Sequence, residues 1–253
     1  MTITRREALR LIAVPLGAAA LRVSPISLLR NRGWPAPGKL KVMVVGGHPD
    51  DPESGCGGTI ASYVAAGHEV VIVYLTRGEA GIDGKTHDEA ARIRTAEAER
   101  ACALLGATAR FFGQIDGDTH VDAAAYGAMS DLFAREHPDV VFTHWPVDTH
   151  RDHRAASLLT YDAWLRAGKT AALGYFEVLT GEQTQVFRPT DYVDITAVAQ
   201  QKHDACFLHA SQRPAEWYPT HEQMARFRGI EHGCAQAEAF VRHDQSPPLP
   251  LPG

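Results

Sequence analysis

The sequence predicts an α/β fold with a largely parallel sheet, on three observations. Short β-branched runs alternate with longer helix-like stretches along the chain, which is the pattern of βαβ units. The first and fourth of these runs, Leu40–Val45 and Asp139–Thr143, look like buried strands. Each leads directly into a cluster of histidine and aspartate, and open α/β sheets bind ligands at the carboxyl ends of their strands. The expected architecture is a Rossmann-like three-layer sandwich with a zinc site at the C-terminal ends of the strands. At 253 residues, 45% apolar and 22% charged, the chain suits one large domain of ordinary globular composition. A formal charge of -5 offers no electrostatic case for nucleic acid.

The elements follow in order. The strand at Leu40 to Val45 ends at Gly46-Gly47, where the backbone can turn tightly before His48. A helix from Gly55 to a stop at Gly67 comes next, then a strand from Glu69 to Leu75 and the loop Thr76 to Gly81. Asp88 to Leu105 reads as an amphipathic helix with Gly106 after it, and Arg110-Phe111-Phe112 as a short strand. A helix from Ala123 to Glu136 is closed by Pro138, and the strand Asp139–Thr143 follows. Asp152 to Ala167 is helical. Leu173–Leu179 and Tyr192–Ile195 are strands, and Ala197–His209 is a helix. The domain spans 40–245, preceded by a Pro/Gly-bearing linker at 31–39 and followed by a loose Pro-rich tail at 246–253.

Residues 1–30 read as a twin-arginine export signal. Arg5-Arg6 precede an apolar run from Leu11 to Leu21 that is too short for a membrane span, and Ala18-Ala19-Ala20 offers a small-residue cleavage region. The competing reading is an amphipathic N-terminal helix. The expected destination is periplasmic or extracellular, with no transmembrane span in the mature protein, and cytoplasmic if the leader does not function. The four cysteines show no zinc-finger spacing, and Cys56 and Cys102 read as small buried residues. A Cys206–Cys234 disulfide is conceivable without positive support.

The chemistry lies in His48-Pro49-Asp50-Asp51 and His150-Arg151-Asp152-His153. Zinc takes neutral imidazole and carboxylate from rigidly held elements, and a hydrolytic site keeps one position open. Pro49 restricts the backbone so that His48 and Asp51 can fold toward one point while Asp50 aims elsewhere. That leaves one carboxylate for metal and one as a base. His150 and His153 stand at i, i+3 on one helical face, one for metal and the other toward substrate. The bland alternative is that these aspartates cap helices. Asp152 fits a cap or a partner orienting a histidine equally well.

The segment Gly47-His48-Pro49-Asp50-Asp51-Pro52-Glu53-Ser54-Gly55-Cys56-Gly57-Gly58-Thr59, with Asp148-Thr149-His150-Arg151-Asp152-His153, resembles the signature of the PIG-L/LmbE-like N-acetylglucosaminyl de-N-acetylase family. Weaker matches at Leu75–Glu79, Ile93–Glu99, Leu105-Gly106, Asp116-Gly117 and His209–Gln212 extend the resemblance from Leu40 to Phe240. It implies a zinc-dependent hydrolase releasing acetate from an N-acetylated sugar or glycoconjugate. Zinc would be held by His48, Asp51 and His153, with Asp50 as general base and His150 facing the oxyanion. Glu79, Arg94 and Asp116 would help hold substrate, and a homo-oligomer is open. Two departures stand out: Asp148 occupies the place of a tyrosine found in one branch, and Glu53 arrives one position late behind Pro52. Two other readings use the same residues: a metal hydrolase acting on another bond, and a non-catalytic metal- or sugar-binding domain. A dinucleotide-dependent enzyme is excluded, since no G-x-G-x-x-G follows the first strand. Trp145, Trp164, Trp217 and Tyr218 are candidates for a carbohydrate site or for the core.

Overall fold

A computed structural model describes residues 38–179 and 182–252. The proposed leader and most of the linker lie outside the described residues. Seven strands form one sheet in the order β3-β2-β1-β4-β5-β7-β6. They are β1 (Lys41–Gly46), β2 (Glu69–Tyr74), β3 (Thr108–Phe111), β4 (Val140–His144), β5 (Ala172–Phe176), β6 (Asp191–Asp194) and β7 (Ala237–Arg242). β1 to β5 pair in parallel, and β7 runs antiparallel to both β5 and β6. The helices are α1 (Asp51–Ala65), α2 (His87–Leu105), α3 (Ala123–Glu136), α4 (Arg151–Arg166), α5 (Ala199–Phe207) and α6 (Pro214–His232).

The pleat of β1 divides the core. Val42 and Val44 pack on one face with Ile60 and Tyr63 of α1, Cys102 and Leu105 of α2 and Ala205 of α5. Met43 and Val45 pack on the other with Met129 and Phe133 of α3 and Leu159 and Trp164 of α4. Successive strand residues point to opposite faces, so a strand covered twice is apolar throughout. These two covering layers make the three-layer sandwich.

β1 is the switch point. From it the chain winds outward through β2 and β3, then returns to start β4 on the other side. Val42 to Val45 pair with Val140 to Thr143, which brings the carboxyl ends of β1 and β4 side by side. The crevice at such a reversal is where this class of sheet binds ligands, and both motifs open into it.

One expectation is corrected, and the open question of Cys206 and Cys234 is answered. The tail is packed rather than loose: Leu249 is buried in the core, Tyr63 Oη donates to the Pro250 carbonyl at 3.2 Å, and Leu173 N donates to Ser246 Oγ at 2.8 Å. Here Pro247 and Pro248 extend the chain while leucine anchors it. Cys206 is a buried free thiol and Cys234 is also free. No helix among the described residues is long and apolar enough to cross a membrane.

Candidate active site

Asp51 lies at the centre of the site because α1 begins inside the first motif, earlier than the glycine-rich stretch suggested. Pro52 sits in the first helical turn, where its missing N–H costs nothing. Asp50, the residue before the helix, is held at φ 111°, a sparsely populated conformation for a side-chain-bearing residue that costs on the order of 1–3 kcal/mol. The effect is to part the two carboxylates. Asp51 turns back under β1, and its Oδ2 accepts the His48 backbone N–H at 2.7 Å. Asp50 faces out.

Three imidazoles surround that same Oδ2. His48 Nδ1 lies 3.1 Å away, His153 Nε2 3.2 Å and His144 Nε2 3.4 Å. Donors about 2.0–2.1 Å from a tetrahedral zinc stand roughly 3.3 Å apart, which is the order of each of these distances to Oδ2. The outer nitrogens fit too. His48 Nε2 lies 3.1 Å from Asp152 and 3.2 Å from Asp116, and His153 Nδ1 lies 2.9 Å from Asp148. With the outer N–H groups held by those carboxylates, His48 Nδ1 and His153 Nε2 face Asp51, where a bound metal would take the place of their protons. His48 and His153 thus each flank Asp51 Oδ2, but the three are not one of the compact donor groupings: His153 joins Asp51 and His144 in one and His48 and His150 in another. Gly47 is required beside them, since a Cβ there would sit 2.9 Å from the His153 ring and 3.3 Å from Asp51 Oδ2.

The electrostatics reflect this crowding. Burial opposes the charged form of His48, yet hydrogen bonds to Asp116, Asp152 and Asp51 carry it well above its usual range. His153 is likewise raised to about 9 despite burial, by the Asp51 charge and the Asp148 bond. Despite its own burial, Asp51 is held well below the usual carboxylate range by His153 and His144. Burial pushes Asp50 up to about 6, with Arg94 pulling the other way. A carboxylate poised there can take and return a proton near neutral pH.

Arg94 does not line the cavity. It is 3% exposed, donates to the Pro49 carbonyl, and holds Asp50 Oδ2 at 3.1 Å. Gly78, at φ +69°, leaves room for its guanidinium, which any side chain at that position would strike. Asp116 Oδ2 accepts the Ala80 N–H at 3.2 Å, and Glu79 Oε2 accepts those of Arg77 and Asp116 at 3.2 and 3.1 Å. The three residues expected to hold substrate are thus built into the floor beneath the first motif.

Asp152 orients His48 and does not cap α4. It also accepts from Gly117 N at 2.8 Å and Thr119 Oγ1 at 2.7 Å. The cap is His150, whose Nδ1 accepts the Asp152 N–H at 3.2 Å, leaving the proton of the neutral ring on Nε2. Burial and the neighbouring His48 and His153 lower its pKa, so it is a neutral donor. It stacks on His153 at 4.6 Å, packs edge-on to His48 and stays half-buried. Glu53 neither caps nor orients a ligand. It is fully buried one layer down, where Tyr74 Oη donates to it and His209 Nε2 lies 3.2 Å away.

Sequence reasoning missed two contributors. His144 ends β4 fully buried, its Nε2 accepting the Gly47 N–H at 3.0 Å and its ring stacked 4.0 Å from His153. Asp148, noted only as a departure, orients His153. The signal was available in both cases: a histidine ending an apolar strand, and a carboxylate five residues before a candidate ligand. The three candidate metal groupings of the described residues are His48-His150-His153, Asp51-His144-His153 and His48-Asp116-Asp152.

Asp50, Asp51 and His153 open into a cavity of about 240 Å³ whose far wall includes Val178, Trp217 and His221. The weakly matching segments support that wall. Ser211 donates to Glu97 through N and Oγ at 2.8 and 2.6 Å, and Gln212 Nε2 donates to the Gly81 carbonyl at 3.0 Å. Of the other aromatic candidates, Trp164 is core and Tyr218 is buried, while Trp145 lines a separate surface pocket.

Comparison with known proteins places this geometry. Residues 43–164 match the GlcNAc-PI de-N-acetylase (PIG-L) family. The chain is 28% identical to diacetylchitobiose deacetylase of Thermococcus kodakarensis, covering 79% of this chain and 82% of the relative. It is 29% identical to 4-oxalmesaconate hydratase of Pseudomonas putida, covering 80% and 83%. The crystal structure of the conserved protein TT1542 of Thermus thermophilus is 30% identical with a TM-score of 0.71, covering 85% of this chain and 96% of that one.

Proposed function

We propose, on the premise that this chain belongs to the PIG-L family and is a hydrolytic deacetylase, that it removes the acetyl group from an N-acetylated amino sugar or its conjugate, with one zinc ion held by His48, Asp51 and His153. The observation that carries the reading is the separation of two adjacent carboxylates. Asp51 is turned into the cluster of imidazoles, while Asp50 faces the cavity beside it.

Zinc at that position supplies Lewis acidity, which polarises a carbonyl and lowers the pKa of a water toward neutrality. The rest is done by side chains. Asp50 Oδ accepts a proton as water adds to the acetamide carbonyl carbon. His150 Nε2–H serves the developing oxyanion as a neutral donor. Asp50 then delivers its proton to the leaving nitrogen, the C–N bond breaks, and acetate and a free amine depart. Arg94 fixes the base on one side, and the left-handed backbone fixes it on the other.

The composition of the cavity favours a neutral amide over the anionic acid that a hydratase would take. Two carboxylates and no lysine or arginine line it among the described residues, so an acid would find no lysine or arginine there to pair with its carboxylate. The test is acetate release from N-acetylglucosamine and N,N′-diacetylchitobiose by the protein stripped of metal and then reloaded with zinc. Release that returns with zinc is expected. A zinc-loaded protein inert on every N-acetylated sugar would refute the reading. Export by the twin-arginine route is part of the same proposal, supported by Arg5-Arg6 before the apolar run. Replacing both with lysine should keep the protein in the cytoplasm, and unchanged exported yield would refute it.

A further inference from the structure

We propose that Trp217 and His221, both on α6, form the subsite that receives the sugar ring carrying the acetamide. Trp217 stacks on an apolar ring face and His221 hydrogen-bonds a ring hydroxyl. The proposal rests on the deacetylase reading above and names the part of the substrate that this wall reads.

Trp217 has one polar atom, and the protein already uses it: Nε1 donates to the Gln212 carbonyl at 3.0 Å. What Trp217 presents to the cavity is therefore apolar ring surface, the feature that packs against the C–H face of a pyranose. His221 is the reverse case. It is 3% exposed and lines the same cavity, and its Nδ1 is buried with no hydrogen-bond partner. Burial, with Lys202 adding to it, lowers its pKa to about 3, so the ring is neutral and offers one donor and one acceptor. A buried polar atom left unpaired is costly unless a ligand completes it.

The two rings stand 5.5 Å apart at 81°. They make a corner with an aromatic face on one side and an imidazole edge on the other. A sugar laid on the indole would bring its equatorial rim, where the hydroxyls are, toward His221. The volume of about 240 Å³ lies below the roughly 300–1,000 Å³ of pockets for drug-sized ligands. It suits a single ring, with any conjugated group outside. Val178 and Asp50 line the same cavity as this corner.

The test uses zinc-loaded full-length protein titrated with N-acetylglucosamine, N-acetylgalactosamine and N,N′-diacetylchitobiose. Tryptophan fluorescence and calorimetry report binding, and acetate release is measured separately. At least one sugar should bind saturably. Trp217→Ala should weaken binding and raise KM about tenfold, and His221→Leu should do the same, the worth of one such contact. In both, kcat and the metal content should stay near wild type. Trp217→Phe and His221→Gln, which keep an aromatic face and a hydrogen-bonding group, should recover most of the affinity. Sugar binding that is lost in the two variants, with no acetate released by wild type, would support the subsite while removing the deacetylase reading. Wild-type affinity in both Trp217→Ala and His221→Leu, or no binding of any of the three sugars, would overturn the proposal.

Discussion

Helix α1 touches two buried ionic assemblies, and they are built on opposite plans. At its N-terminus, the carboxylates of Asp50, Asp51, Asp116, Asp148 and Asp152 gather around four histidines with Arg94 as the permanent cation. Two turns later, Glu238 of β7 meets Lys202 of α5. Its Oε1 accepts from Lys202 Nζ at 2.7 Å and Gly58 N at 2.9 Å, and its Oε2 accepts from Thr59 N at 2.7 Å. The second assembly is a closed pair, neutral and hydrogen-bonded on both oxygens. The first carries an excess of carboxylates, with histidine nitrogens turned toward Asp51, which an added cation would complete. A buried charge that is fully matched holds the fold, whereas one that is matched only when something binds marks a site.

The comparison can be broken at either end. The largest effect is expected at the closed pair. Lys202→Met leaves Glu238 buried and uncompensated, and should lower unfolding stability by about 3–5 kcal/mol while the native protein still binds metal with the same stoichiometry. Adding Glu238→Leu should recover much of the loss, because an apolar pair removes the stranded charge. Denaturant melts with metal analysis check both. If Lys202→Met loses metal before it loses stability, the two assemblies are not separable.

A smaller effect is expected at the open cluster. Asp148→Asn keeps the shape but weakens the hold on the His153 Nδ1 proton. Zinc affinity should fall about 10–100-fold, with thermal stability of the stripped protein close to wild type. Competition with a chelator measures it. Unchanged affinity would mean that Asp148 serves only the His150 backbone N–H, which it accepts at 2.7 Å.

How far the sequence reveals these regions follows from the same difference. The parallel half of the sheet, β1 to β5 with α1 to α4, is legible because β1, β2, β4 and β5 are buried on both faces and alternate with helix-length stretches. Both motifs end such strands, so their meeting point follows from topology. Of the C-terminal part, β6 and α5 are legible as the strand at Tyr192–Ile195 and the helix at Ala197–His209, whereas α6 and β7 are not. α6 contains Pro219, and the side it buries carries His221, Arg228 and Gly229 as well as Tyr218 and Ala225, so hydrophobic periodicity has little to detect. β7 was likewise unread, and its Glu238 is a buried charge within a strand. The sequence pattern starts α1 four residues late because Gly55, Gly57 and Gly58 suppress helix signals, although the first of its turns holds Asp51. His144 went unnoticed because its role depends on the stacked His153 and on Gly47, which are distant in sequence and adjacent only across the sheet.

The central claim is that Asp50 moves the proton while Asp51, one residue on, belongs to the metal. Asp50→Asn is nearly isosteric and cannot accept a proton, so acetate release by zinc-replete Asp50→Asn, set beside wild type, His150→Ala and the double variant, tests it most directly. The expected result is one zinc per chain in Asp50→Asn with kcat lowered about a hundred- to ten-thousand-fold. His150→Ala should lose on the order of a hundred-fold or more, and the double variant should lose less than the product of the two. Wild-type kcat in zinc-replete Asp50→Asn, or loss of zinc on that substitution, would contradict the account.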